Sequence, residues 1–534
     1  MVEAEIVQPT GIAMSAVPGG KGLKVGALSM ISSLVIGVAS TAPAYSLAAA
    51  LGLVTASVGL IAPAVMRLAF VPMLFIAAAY YYLNRADPDC GTTFTWVTRA
   101  MGPKTGWIGG WGILMTDLVV MPSLSQIAGA YTFSLFGAHG LANSTFWVTF
   151  VGVIWIVVMT AICYIGIELS KNTQVFLLSA ELVILTVFSI LALTKVFEGG
   201  IAHSIHPALA WLDPFKIHSI GALSAAMLVA VFIYWGWDTA VTVNEEADDI
   251  KRTPGRAAVL STLVLVAIYL IVSIAAQSYH GAGFLTAHSA DVLSGLSHDV
   301  LGHDFSWLVI LAVLSSASAS TQTTILPAAR SALSMAVHGA VPKRLGSIHR
   351  RYLSPGFATL LFGVISIVWY VVLTIISPND ILGNSISALG FGIAFYYGIT
   401  GIACTVYYRK LVFKSFKNFL FIGVAPLVGG LVLFLMFVVS IFYYSNPANS
   451  FIPGQAWLKF IHFSFHVFGW HIYVTKGLGP PLVLGVGLLL VGVPLMLYWR
   501  VRHPDPFFRH RAEVAESIDG SAPPLTPGAM GLAD

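Results

Sequence analysis

Three carboxylates and a run of hydroxyls sit where the chain is otherwise apolar, and these residues can do chemistry. Asp117 lies in "GILMTDLVVMPS", Glu181 in "FLLSAELVILTVF" and Asp238 in "VFIYWGWDTAVTV". An acid surrounded by hydrocarbon is costly to ionise, so each is a functional hypothesis. Asp117 can bind a substrate amine or carry a proton, and a buried acid bonded to neighbouring hydroxyls explains it equally well. For Glu181 a proton site and a structural bond compete in the same way. The stretch "SSASASTQTT", Ser315 to Thr324, contains Ser316, Ser320 and Thr321. A tight interface of small residues uses this pattern.

Two stretches interrupt their own helices. In "VIGVASTAPAYS" the residues Gly37, Ala39, Ser40, Thr41 and Pro43 fall in the middle of an apolar segment. Pro43 has no N–H, so the Ala39 carbonyl loses its helical partner and Ala42 is pushed away from helical dihedrals. In lipid the freed groups must be satisfied by protein, water or a bound solute; a packing kink lined by small residues is the alternative. The second interruption is Gly236, flanked by aromatics that include Phe232 and Tyr234, with Asp238 near mid-span.

The elements that must position these residues are membrane helices. Hydrophobic residues make up 57% of the 534 and charged residues 9%, against about 25% charged in a soluble domain. Apolar runs of about 20 residues, enough to cross about 30 Å of hydrocarbon, recur about twelve times. They start near Gly26, Gly59, Gly106, Phe146, Asn172, His218, Ala257, Phe305, Gly356, Ile381, Asn418 and Gly479. Asp117 then lies about 11 residues, or 16 Å, into its span. The first twenty residues lack the features of a signal peptide, so the first span is expected to remain.

Lys and Arg test the topology, because they collect in cytoplasmic loops. With the N-terminus inside, only Lys195, Lys216, Lys459 and Lys476 of the 27 fall outside, and Arg67 snorkels from the second span. Both termini are therefore expected in the cytoplasm, and the net charge of +4 follows from topology and implies no nucleic-acid partner. Cys90, Cys163 and Cys404 have no metal-ligand spacing and imply no disulfide framework. His462 and His466 are four apart, a spacing that suits a metal on a helix, but "WLKFIHFSFHVFGW" reads better as an amphipathic segment on the membrane surface. Residues 1–20 and 504–534, rich in Pro, Gly, Ala and Ser, are expected to be disordered. No phosphate loop, nucleophile elbow or pair of catalytic acids is present in context, so neither an enzyme nor a cofactor is implied.

If spans one to five and six to ten are two halves, the interrupted helix is the first of each, the pattern of transporters built from inverted repeats. The sequence resembles the amino acid-polyamine-organocation permeases, which have the leucine-transporter fold, from about Gly26 to about Arg500. The resemblance is carried by "YYYLNRADPDCGTTFTWVTRAMGPKTGWIGGW", "FIYWGWDTAVTVNEEADDIKRTPGRA" and "AARSALSMAVHGAVPKRLGSIHRRYLSPG". It implies an all-α membrane protein with a 5+5 inverted repeat, two extra helices and a permease domain over 21–503. By that resemblance Phe232 falls at an aromatic gate, Gly236 at the sixth-helix break and Asp238 at a common acidic position. "ASTAP" departs from the usual break, and Gly37, Ala39 and Pro43 with Asp117 and Pro122 look more like bacterial putrescine importers. Some relatives use a lysine on the fifth helix for proton coupling; 172–194 has no basic residue. The substrate-binding candidates are thus Gly37, Ala39, Ser40, Thr41, Pro43, Asp117, Phe232, Tyr234, Gly236 and Asp238. The coupling-ion candidates, for a proton or sodium, are Glu181, Ser316, Ser320 and Thr321. The expected function is secondary active amino-acid transport across the plasma membrane, with a polyamine importer and a non-transporting nutrient sensor as alternatives.

Overall fold

Uncharged runs rich in Leu, Val, Ile and Ala fold as helices because, away from water, only a helix satisfies every backbone group within its own segment. A computed structural model describes residues 20–289, 291–377, 381–447, 463–467, 470–474, 478–503 and 506–518. The first run is divided into α1 (Met30–Ser40) and α2 (Pro43–Val58), followed by α3 (Ala62–Ala86) and a short α4 (Thr93–Met101). Next come α5 (Pro103–Leu135), α6 (His139–Ala142), α7 (Thr145–Ile165) and α8 (Ile167–Glu198). The sixth run is again divided, into α9 (Ile220–Ile233) and α10 (Thr239–Thr242). It is followed by α11 (Thr253–Ala287), α12 (Val292–Leu301), α13 (Trp307–Val337), α14 (Gly356–Ile376) and α15 (Ile381–Tyr407). Two π-helical turns then join α16 (Phe416–Asn418) to α17 (Ala425–Tyr444) and α18 (Pro480–Leu482) to α19 (Leu488–Arg502).

Among the described residues ten stretches are long and apolar enough to cross a membrane; one of them, Met30–Ala86, contains both α1–α2 and α3, and the shorter α9 lies outside the ten. Each of the twelve expected spans therefore has a helical counterpart. Burial separates inner from outer helices. The apolar stretches of α5 and α13 are 78% and 83% buried, whereas those of α7 and α14 are 33% buried and turn Ile154, Val157, Val364 and Val368 outward, as lipid contact requires.

Two segments depart from the expectation. His466 lies on a strand, β1 (Phe463–Val467), paired antiparallel with β2 (Trp470–Val474) so that His466 faces His471 in register. The alternation in Phe-Ser-Phe-His-Val has the period of a strand, so the helical spacing with His462, which lies outside the described residues, does not apply. The expected disordered tail also has placed residues: Phe507 is fully buried and Ala515 nearly so.

Candidate functional site

The two interruptions meet. Ala42 takes a left-handed conformation (φ 48°, ψ 67°) between α1 and α2, while Gly236 (φ +115°) lies in the middle of the turn between α9 and α10. A Cβ on Gly236 would stand 2.7 Å from the Ser40 carbonyl oxygen, so only glycine permits this approach. Gly37 serves a similar need, since a Cβ there would stand 2.4 Å from Ser261 Oγ.

Nearby donors satisfy the carbonyls freed at the breaks. Ser320 Oγ donates to the Ser40 carbonyl at 3.0 Å, Thr41 Oγ1 to Val38 at 2.6 Å, and Ser46 Oγ to Thr41 at 2.7 Å. Ala42 N donates to the Ala39 carbonyl at 3.1 Å, and the Tyr269 hydroxyl donates to the Ile233 carbonyl. Thr239 Oγ1 lies 2.8 Å from Ser40 Oγ and 3.3 Å from the Thr323 carbonyl, tying both breaks to α13. Thr321 instead donates to Ala317 within its own helix.

Each carboxylate has a distinct environment. Glu181 Oε1 accepts from Ala44 N at 2.7 Å and from Ser316 Oγ at 2.8 Å; Ser316 Oγ in turn accepts from Tyr45 N at 3.2 Å. Pro43 is the first residue of α2, so a carboxyl group caps this helix where unpaired N–H groups and the helix dipole favour an acid. Glu181 Oε2 is buried with no hydrogen-bond partner among the described residues. Asp238 accepts from Tyr397 Oη at 2.7 Å and from Tyr396 Oη at 3.1 Å, and Tyr396 Oη accepts from Trp235 Nε1 at 2.6 Å. Asp117 is 2% exposed, and its Oδ2 has no partner among the described residues.

The aromatics divide by position. Phe232 meets Tyr45 edge to face at 6.0 Å, joining α9 to α2, and Tyr45 Oη donates to Ser123 Oγ at 2.9 Å. Tyr234 packs against Tyr269 and Phe70, with its hydroxyl unpartnered among the described residues. Sequence reasoning missed Tyr396, Tyr397 and Tyr269. The adjacent tyrosines of "AFYYG" were the available signal, since the hydroxyl of a buried Tyr usually finds a hydrogen-bond partner.

The face that carries both described chain ends is closed by ionic contacts. Lys21 Nζ lies 2.8 Å from Asp89 and 2.5 Å from Glu245. Asp89 also accepts from Ser334 Oγ at 2.6 Å and lies 3.0 Å from His338 Nε2. Burial opposes the Lys21 charge, but Asp89, Cys90 and Glu245 hold its ammonium well above the usual lysine range. Burial likewise opposes the Asp89 charge, and Lys21 and His338 hold its carboxyl well below the usual range. Asp89, Cys90 and Glu245 offer ligand atoms within 4.8 Å of one another; Lys21 is the cation among them. Deeper, Arg330 pairs with Glu246 through Nε at 2.7 Å and Nη2 at 2.9 Å, both side chains 1% exposed. At the opposite face Arg67 Nη2 donates to the Leu212 carbonyl at 2.6 Å.

Residues 25–464 match the family described as amino acid permease. An uncharacterized transporter of Mycobacterium tuberculosis is 27% identical over 61% of this chain and 70% of its own length. The low-affinity putrescine importer of Escherichia coli is 22% identical over 74% of this chain and 83% of its own. The b(0,+)-type amino acid transporter 1 of Mus musculus is 22% identical over 78% and 82%.

Proposed function

The chain belongs to the amino acid permease family, and we propose that it is a secondary active transporter that carries amino acids across the plasma membrane by alternating access. The observation that carries this reading is the contact of two broken helices, Gly236 against Ser40, at a site bounded by buried carboxylates. The face with Lys21 and Asp89 is the cytoplasmic one, consistent with the Lys and Arg distribution in the sequence.

The coupling ion is a proton carried by Glu181. One oxygen of that carboxyl takes both hydrogen bonds and the other takes none, as suits an acid that gains and loses a proton at its free oxygen. Sodium is the weaker candidate because Ser320 donates to the Ser40 carbonyl, engaging two oxygens that a cation would need. A second reading, import of a polyamine, is supported by the buried Asp117 oxygen that has no hydrogen-bond partner among the described residues, an acceptor suited to a substrate amine.

Uptake of labelled amino acids and putrescine into proteoliposomes, under a proton gradient, a sodium gradient or neither, tests these readings together. Amino-acid accumulation driven by the proton gradient is expected. Glu181→Gln keeps an oxygen for Ala44 N, so exchange should persist while proton-driven accumulation falls at least about tenfold, about 1.4 kcal/mol. Undiminished accumulation by that variant would remove Glu181 from coupling, and saturable binding without uptake would point to a sensor.

A further inference from the structure

We propose that residues 506–518 form a strap that holds the Lys21 face shut, so that docking or release of the chain's own C-terminal segment sets how often the site opens to that side. The inference goes beyond the permease reading and rests on it.

The strap is attached at separate points. The Phe507 ring is fully buried and stacks on Phe94 of α4, centroids 5.3 Å apart and planes at 26°, within a cluster that also includes Met335, Ala340 and Met496. Further along, Glu513 Oε2 accepts from Arg99 Nη1 at 2.9 Å. Glu513 N donates to the Arg99 carbonyl at 2.6 Å, and Ala515 N donates to the Tyr407 carbonyl at 2.9 Å. His510 Nε2 lies 3.3 Å from the other Glu513 oxygen.

Both attachments lead to the same acid. Arg99 Nε donates to Asp87 Oδ2 at 2.6 Å, which fixes the short segment whose next acid, Asp89, holds Lys21. Phe94 lies against the His338 ring, centroids 6.0 Å apart, and His338 bonds Asp89. The docked segment thus supports Asp89 from the Asp87 side and from the His338 side. The buried Phe507 ring, the buried Ala515, the partly buried Phe508 and Ile518, two backbone hydrogen bonds and one ion pair offset the ordering of the whole segment. A terminal segment held at separate points can release without unfolding the helices it covers.

Cys90 is a native reporter of this closure, since it is fully buried with its sulfur 3.5 Å from Lys21 Nζ. The full-length chain in proteoliposomes is treated with a maleimide and Cys90 modification is followed by mass spectrometry. Lys21→Ala sets the rate for an open face. Phe507→Ala should raise the Cys90 rate about tenfold, and ending the chain at His503 should raise it at least as far. A synthetic peptide of residues 504–520 added to the shortened chain should restore protection, which separates release of the strap from misfolding. If both variants retain the original rate while Lys21→Ala raises it, or if the peptide fails to protect, the strap is overturned. Labelling needs no identified substrate, so its outcome is independent of whether the transport reading holds.

Discussion

At the scale of single residues, Asp117 and Gly236 make opposite demands. Asp117 Oδ2 makes no hydrogen bond among the described residues, so replacing the acid by the isosteric amide removes no protein contact. Asp117→Asn should therefore leave the melting temperature unchanged or raise it. If the carboxylate holds a substrate amine, the same change should raise the uptake KM for a diamine at least about 30-fold, equivalent to about 2 kcal/mol. A diamine KM that stays constant would exclude Asp117 from recognition. Gly236, by contrast, is needed for its absence of side chain. In Gly236→Ala the new methyl meets the Ser40 carbonyl group at 2.7 to 2.8 Å with φ at +115°, and strain of about 1–3 kcal/mol is expected. A lower melting temperature and loss of uptake should follow, while Gly283→Ala, with nothing within 4 Å of the added atom, should leave both intact.

At the scale of elements, the four-residue α10 is too short to orient Asp238 by itself, and α15 does so through two hydroxyls. Tyr397→Phe removes one donor to Asp238; Tyr396→Phe removes a donor to Asp238 and also the acceptor for Trp235 Nε1. With about 1–3 kcal/mol for each buried group left unpaired, the Tyr396 variant should show about twice the loss in thermal unfolding measured side by side. Equal losses would mean that the Trp235 bond contributes nothing. These partners also mark where the sequence was legible. The helices and both breaks could be read because hydrophobic run length, Pro43 and Gly236 are local signals. The donors that complete the breaks could not: Glu181 reaches Ala44 from 137 residues away and Tyr397 reaches Asp238 from 159, and nothing local encodes such pairings. The strand pairing of His466 escaped because a short aromatic run suits either period, and the docking of Phe507 because the composition of its surroundings reads as solvated chain.

At the scale of the whole molecule, the closed face depends on one deeply buried ion pair as well as on the Lys21 contacts nearer the surface. Arg330 belongs to α13, while Glu246 follows α10 and its carbonyl accepts from Leu28 N at 3.0 Å. The pair therefore ties the chain entering α1 and the chain leaving α10 to the central helix α13. Removing one partner leaves an uncompensated buried charge, and Glu246→Leu or Arg330→Met alone should destabilise the protein by about 3–5 kcal/mol. The double variant removes both charges and replaces them with apolar side chains, an exchange that is often neutral or stabilising in a buried site. Its melting temperature should return to within a few degrees of the parent. Stability and closure should then separate: if the pair acts as a latch between parts that move, the double variant is stable yet modifies Cys90 faster than the parent. If the pair is only a structural tie within a rigid unit, regained stability brings regained protection of Cys90. The same labelling experiment applied to the double variant and to Lys21→Ala decides whether the ion pairs of this face are coupled, since a latch predicts that the two changes together open the face no further than the larger alone.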